Sequence, residues 1–151
     1  MVKLNLSSQI VLNKVPEEFY HPKTAVELSE LTRCEKLPTT IFPKTEEGAL
    51  SIATTIANAI RQKQQSGQYC VLGLGTGSSL TPVFNELIRL HKEEKLSFSN
   101  VVVFNAYEYF PLQPSAKNST LNQLKERLLN HIDINPQNVF TLEGTVHQDR
   151  V

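Results

Sequence analysis

Two short stretches of this chain carry side chains whose types and spacing suit chemistry. The first is Gly73-Leu74-Gly75-Thr76-Gly77-Ser78-Ser79, three alternating glycines followed by hydroxyls. Where such a turn opens a helix, the first backbone N–H groups have no acceptor within the helix. The helix dipole also makes that end positive, so an anion, phosphate above all, is attracted there. Gly75, Thr76, Gly77, Ser78 and Ser79 are therefore candidate phosphate- and substrate-binding residues. The hydroxyls can donate to phosphate or sugar oxygens, or cap the helix. The stretch lacks the Gly-Lys-Ser/Thr ending of a P-loop and the spacing of a dinucleotide fingerprint. A tight turn with a helix cap remains the plainer reading of it.

The second stretch is Asn105-Ala106-Tyr107-Glu108-Tyr109. A carboxylate flanked by two aromatic rings can have a raised pKa and move protons. Glu108 is thus a catalytic candidate, Tyr107 a neighbour of any ligand there, and Asn105 a binding candidate. The alternative is that Glu108 orders its loop or pairs with a basic group. His91, His131 and His147 read as structural or solvated. Cys34 and Cys70 stand apart without metal-ligand spacing, and Cys70 reads as a small buried hydrophobe. No metal is expected.

The elements that must position these stretches follow from periodicity. Tyr69 to Leu74 and Val101 to Phe104 are continuous apolar runs, the mark of strands buried in a parallel sheet. Between them Pro82 opens a helix carrying Phe84, Leu87, Ile88 and His91, which makes a strand–helix–strand unit. Ala49, Ile52, Ala53, Ile56, Ala57 and Ile60 form an apolar face on a preceding helix, begun at an N-cap Thr45 and stopped by Gly67. Asn118 is expected to cap a helix through Leu121, Leu124, Leu128 and Leu129, ending near His131. Asn138 to Leu142 is a third candidate strand. Upstream, Pro38 to Phe42 reads as a short strand and Ala25 to Arg33 as a short helix.

The expected fold class is α/β, a Rossmann-like doubly wound parallel sheet. Residues 1–40 form an N-terminal arm and residues 41–151 the α/β domain. Three or four strands make a thin sheet, so the N-terminal part of a larger protein is expected. In open α/β sheets ligands lie beyond the carboxyl ends of the strands. Both stretches occupy such ends, so a ligand on the glycine loop should lie near Asn105, Tyr107 and Glu108.

With 15 basic and 15 acidic residues, formal net charge is zero, and the basic residues are dispersed. Nothing resembles the footprint of a nucleic-acid or anionic-membrane partner. No segment approaches the apolar length of a bilayer span, and the N-terminus lacks a signal-peptide h-region. The expectation is a cytoplasmic protein with a small-molecule partner, for which homo-oligomerisation is left open.

Taken together, the two stretches resemble the glucosamine-6-phosphate deaminase/isomerase family. Gly73 to Ser79 is similar to its phosphate-side loop. Leu87 to Phe98 is similar to the helix and turn behind it, and Val103 to Tyr109 to its Asn-Met-Asp-Glu-Tyr segment. Ile132-Asp133 and Asn138-Val139-Phe140 resemble the entry to the next strand. The resemblance implies a sugar-phosphate enzyme that opens the ring, shifts a proton between carbons and releases ammonia, with no redox cofactor. The family's proton-abstracting aspartate stands at the position of Tyr107, and a phenol is a poor base near neutrality. Gly75 replaces a proline usual before the loop threonine. A long variant, with a deacetylase-like second domain, is similar in carrying Tyr at that position and a comparable N-terminal arm. Two alternatives remain: a non-catalytic sugar-phosphate-binding or regulatory domain, and a related sugar-phosphate isomerase or lactonase.

Overall fold

A computed structural model describes residues 22–34, 37 and 39–145. The readings of residues 1–21, of Pro38 and of His147 lie outside the described residues. The chain divides into two compact units, Met1–Gly48 and Ala49–Val151.

In the first unit, helix α1 (Ala25–Thr32) starts where Thr24 Oγ1 accepts the Glu27 amide at 3.1 Å. Glu27 reciprocates by accepting the Lys23 amide at 2.7 Å, so two amides at the helix start are satisfied locally. The strand expected at Pro38–Phe42 is not formed: residues 39–42 are irregular and Ile41 is exposed. No strand among the described residues pairs with them, and Phe42 packs against Gly48, where a Cβ would lie 3.3 Å from its ring. Apolar β-branched composition without a partner strand does not make a sheet. The expected N-cap also moves. The Lys44 carbonyl accepts the Gly48 amide at 3.3 Å, so Thr45 is the first residue of helix α2 (Thr45–Gln65), not its cap.

In the second unit, α2 buries Ala49, Ala53, Ala57 and Ile60, a mostly small-residue face that lets the helix approach closely. It stops as expected at Gly67, whose φ of 65° favours glycine. Strands β1 (Cys70–Leu74), β2 (Val101–Asn105) and β3 (Val139–Phe140) form one parallel sheet in that order. The register places Leu74 beside Asn105, so the two candidate stretches leave the sheet side by side. Helix α3 (Thr81–Glu94) connects β1 to β2, with Pro82 in its first turn. Helix α4 (Thr120–Arg127) connects β2 to β3. Its cap is Ser119 rather than Asn118: Ser119 Oγ accepts the Asn122 amide, and Ser119 O the Gln123 amide.

The α/β, Rossmann-like parallel architecture is therefore present. The core joins Ile60, Phe84, Leu87, Phe98, Val101, Val103 and Leu124, all buried. Burial of each such side chain contributes roughly 1.5–3 kcal/mol. Alternate residues of β1 and β2 point into this core. Their neighbours on the other face stay open, with Val71 62% and Phe104 47% exposed. Phe104 stacks on Phe140 there, with ring centroids 5.0 Å apart.

Behind the site, His91 Nδ1 lies 2.6 Å from the Leu96 carbonyl and braces the α3–β2 turn, in line with its structural reading. Asp133 accepts the Phe98 amide at 2.6 Å and the Ser97 hydroxyl at 2.7 Å. Partial burial opposes ionisation of Asp133, but those two donors and nearby His91 outweigh it and lower its pKa. Cys70 is buried, which pushes its thiol pKa up despite Lys63, while Cys34 is exposed.

Candidate functional site

The glycine loop leaves β1 at Leu74 and turns through a short 3-10 segment, Ser78–Leu80, into α3. Gly67 is the glycine with positive φ among the described residues, so the loop glycines are not demanded by left-handed backbone. Gly77 sits at φ −57°, ψ 148°, a conformation open to any residue. What glycine provides here is room. A Cβ on Gly73 would meet nothing within 4 Å, and one on Gly77 would meet only Ser79 Oγ at 3.7 Å. Gly77, Ser78 and Ser79 are exposed. The Leu80 amide donates to Gly77 O at 3.0 Å, but the amides of Gly77, Ser78 and Ser79 find no acceptor among the described residues. A row of free N–H donors in open space suits an anion.

The second stretch folds against this loop. The Ala106 amide donates to Leu74 O at 2.9 Å and ties the two strand ends together. Tyr107 then crosses to the loop, its Oη 3.4 Å from Thr76 Oγ1. A Cβ on Gly75 would stand 3.4 Å from the Tyr107 ring, so the phenol rests on the Gly75 backbone. Thr76 is buried beneath it. Gly75, Thr76 and Tyr107 therefore meet, as the sequence led one to expect.

Glu108 does not join them. Its Oε1 accepts the amides of Tyr109 at 2.9 Å and Thr120 at 3.0 Å. Its Oε2 accepts the Ser119 hydroxyl at 2.8 Å and the Leu121 amide at 3.3 Å. The expected raised pKa is reversed. Burial works against the charge, but these four donors, three of them backbone amides, hold the carboxyl at about 2. Glu108 is an ionised anchor at the start of α4, which fulfils the loop-ordering alternative.

Asn105 is only 6% exposed, and its Nδ2 donates to Thr120 Oγ1 at 2.7 Å. The Thr120 hydroxyl in turn donates to Tyr107 O at 2.5 Å, which fixes the amide's orientation. Asn105 Oδ1 is left buried without a hydrogen-bond partner among the described residues. Asn105 thus holds α4 and the Tyr107 backbone in register.

Four contributors escaped the sequence reading. Ser119 and Thr120 gather Glu108, Asn105 and Tyr107, and a Ser-Thr pair after Asn118 was a visible capping signal placed one residue early. Arg127 Nη1 donates to Thr76 O at 2.7 Å across 51 positions of sequence, with no local signal. Gly144 packs where a Cβ would lie 2.6 Å from Leu112 O and 2.9 Å from Tyr109 O, and its own carbonyl accepts the Leu112 amide at 2.8 Å. Only a residue without a side chain fits that approach.

A cavity of about 240 Å³ lies between α4 and β3, lined by Leu121, Lys125, Leu129, Ile134 and Val139 among others. None of the glycine-loop residues lines it. Among the described residues no cluster of His, Cys, Asp or Glu is arranged to hold a metal, and no helix is long and apolar enough to cross a membrane.

A parallel α/β sheet with a glycine turn and an Asn-x-Tyr-Glu-Tyr segment at adjacent strand ends defines a protein of the Rossmann-like class. Residues 43–150 match the family of glucosamine-6-phosphate isomerases/6-phosphogluconolactonase, and the chain belongs to that family. It is 55% identical, over 150 residues, to a glucosamine-6-phosphate deaminase-like protein of Bacteroides thetaiotaomicron, covering 99% of this chain and 23% of that one. It is 44% identical over 101 residues to glucosamine-6-phosphate deaminase 2 of Giardia intestinalis, covering 67% of this chain and 37% of the relative. Among solved structures, a monomeric glucosamine-6-phosphate deaminase superposes with a TM-score of 0.65 at 33% identity, over 70% of this chain and 42% of that one. A 6-phosphogluconolactonase from Trypanosoma brucei shares the fold, with a TM-score of 0.53 at 22% identity, over 70% of this chain and 39% of that one. The chain thus spans less than half the length of each of these proteins.

Proposed function

We propose that this chain supplies the phosphate-holding part of a site that acts on an amino-sugar phosphate. The reaction is aldose–ketose isomerisation with release of ammonia, as in the deaminases it is similar to. The observation that supports this most is the seating of Tyr107 on Gly75 and Thr76, which joins the two stretches into one crevice mouth. The free amides of Gly77, Ser78 and Ser79, with the Ser78 and Ser79 hydroxyls, bind the phosphate. Tyr107 borders the sugar, and Asn105 and Glu108 hold Tyr107 and α4 in place. The test is ammonia release from glucosamine 6-phosphate by the full-length protein; no ammonia above background would overturn the reading.

Tyr107 itself favours a second reading, a sugar-phosphate-binding or regulatory domain without turnover. A phenol stands where the family places a carboxylate base. This reading expects thermal stabilisation by glucosamine 6-phosphate with no ammonia formed, and measuring both quantities on one preparation separates the two.

A further inference from the structure

The guanidinium of Arg127 is a partly exposed cation whose one hydrogen bond among the described residues is the donation from Nη1 to Thr76 O at 2.7 Å. The Phe110–Pro111 bond is cis, and no other described peptide is, so the Thr76–Gly77 peptide is trans. In a trans peptide the C=O and the following N–H point in opposite directions. By holding the Thr76 carbonyl on its own side, Arg127 directs the Gly77 amide away from itself, and that amide has no acceptor among the described residues. The amides of Ser78 and Ser79 follow in the same turn, whose closing bond runs from Leu80 N to Gly77 O.

Arg127 is also the last residue of α4, and the first turn of that helix is fixed independently. Glu108 accepts the Thr120 and Leu121 amides there, and Asn105 holds Thr120 Oγ1. Eight residues of α-helix span about 12 Å. One rigid element is therefore pinned at its start to the Asn105–Tyr109 stretch and at its end to the glycine loop.

We infer that Arg127 is a positioning residue of the anion loop: it sets the Thr76–Gly77 peptide so that the loop amides face a ligand, and it couples that setting through α4 to the Tyr107–Glu108 stretch. This inference rests on the reading of the loop as a sugar-phosphate site. A charge-assisted hydrogen bond to a backbone carbonyl is stronger than a neutral one, which suits a residue that must hold a peptide plane against rotation.

The experiment compares the full chain with Arg127→Ala, Arg127→Gln and Lys125→Ala. Lys125 is an exposed cation on the same helix with no bond to the loop. Two quantities are read: affinity for glucosamine 6-phosphate by titration calorimetry, and hydrogen–deuterium exchange of the Leu80 amide without ligand. Arg127→Ala should weaken binding by about tenfold or more, the loss expected when a hydrogen bond to a charged group is removed. It should also speed Leu80 exchange about tenfold while amides of β2 keep their protection. Arg127→Gln, which keeps an N–H donor without the charge, should recover part of both effects, and Lys125→Ala should leave both as in the parent. Unchanged Leu80 exchange in Arg127→Ala overturns the inference whatever the binding result. Faster exchange over an intact β2 upholds the positioning role even if the parent binds no sugar phosphate, an outcome that would instead remove the substrate reading.

Discussion

The Glu108 carboxylate accepts the Thr120 amide at 3.0 Å, joining the loop after β2 to the first turn of α4. A residue that the sequence offered as a proton carrier is thereby spent on architecture. Its chemistry is that of an N-terminal helix anion, which interacts favourably with free amides and with the helix dipole.

Glu108→Gln is expected to destabilise the protein by about 1–2 kcal/mol at neutral pH, as a charge-assisted acceptor becomes a neutral one. The carboxyl falls from 4.5 to about 2 on folding, so it contributes stability that is complete above 4.5 and lost as pH falls toward 2. Thermal unfolding at neutral pH and near pH 3 should show the parent losing more stability than Glu108→Gln. Parallel losses in the two proteins would count against the anchor.

Gly77→Val should fold normally yet bind poorly. The backbone at φ −57°, ψ 148° accepts any residue, and the added Cβ meets only Ser79 Oγ at 3.7 Å. The branched side chain would instead stand over the free amides. Calorimetry with glucosamine 6-phosphate should show a loss of about tenfold or more, about 1.4 kcal/mol. An unchanged affinity with an unchanged melting temperature would place the ligand elsewhere.

Tyr107→Phe removes the 3.4 Å contact with Thr76 Oγ1 but keeps the ring on Gly75. At about 1 kcal/mol for one neutral hydrogen bond, the effect on sugar-phosphate affinity should be below about tenfold. Tyr107→Asp places a carboxylate at the position where the family has its base, and ammonia release should rise relative to the parent. A fall in both binding and release in Tyr107→Asp would show that the ring, not the base, is what the position needs.

Gly144→Ala forces a Cβ to within 2.6 Å of Leu112 O and 2.9 Å of Tyr109 O. Both obstacles are backbone, so the segment from Tyr109 to Leu112 must shift. The expected cost is about 1–3 kcal/mol, as for other overpacked sites. Melting should fall accordingly, and proteolysis should find new cleavage sites between Tyr109 and Leu112.

Much of this was legible in the chain because continuous apolar runs and three- and four-residue spacing are local signals. β1, β2, α2 and α3 emerged close to their observed bounds, and so did the meeting of Gly75 and Thr76 with Tyr107, since parallel strands place their ends together. Failures came where a decision depends on a distant partner. Ile41 and Phe42 have strand composition, but no neighbour among the described residues pairs with them. Asn118, Ser119 and Thr120 are all capping types, and in the fold Ser119 is the one whose Oγ accepts the Asn122 amide while donating to Glu108. The direction of the Glu108 pKa shift turned on three backbone amides that no side-chain pattern announces. Arg127 and Thr76 are joined by folding alone.

The alternation along β2 divides its residues into two regimes of selection. Val101 and Val103 are almost wholly enclosed, so a polar replacement at either would be punished by misfolding before any ligand is met. Phe104, nearly half exposed, gains from the described residues little beyond its stack on Phe140. In a saturation mutagenesis screen scored for abundance alone, tolerance along Val101–Asn105 should therefore oscillate with a period of two. A separate screen scored for activity would show whether position 104 is held by a pressure other than folding.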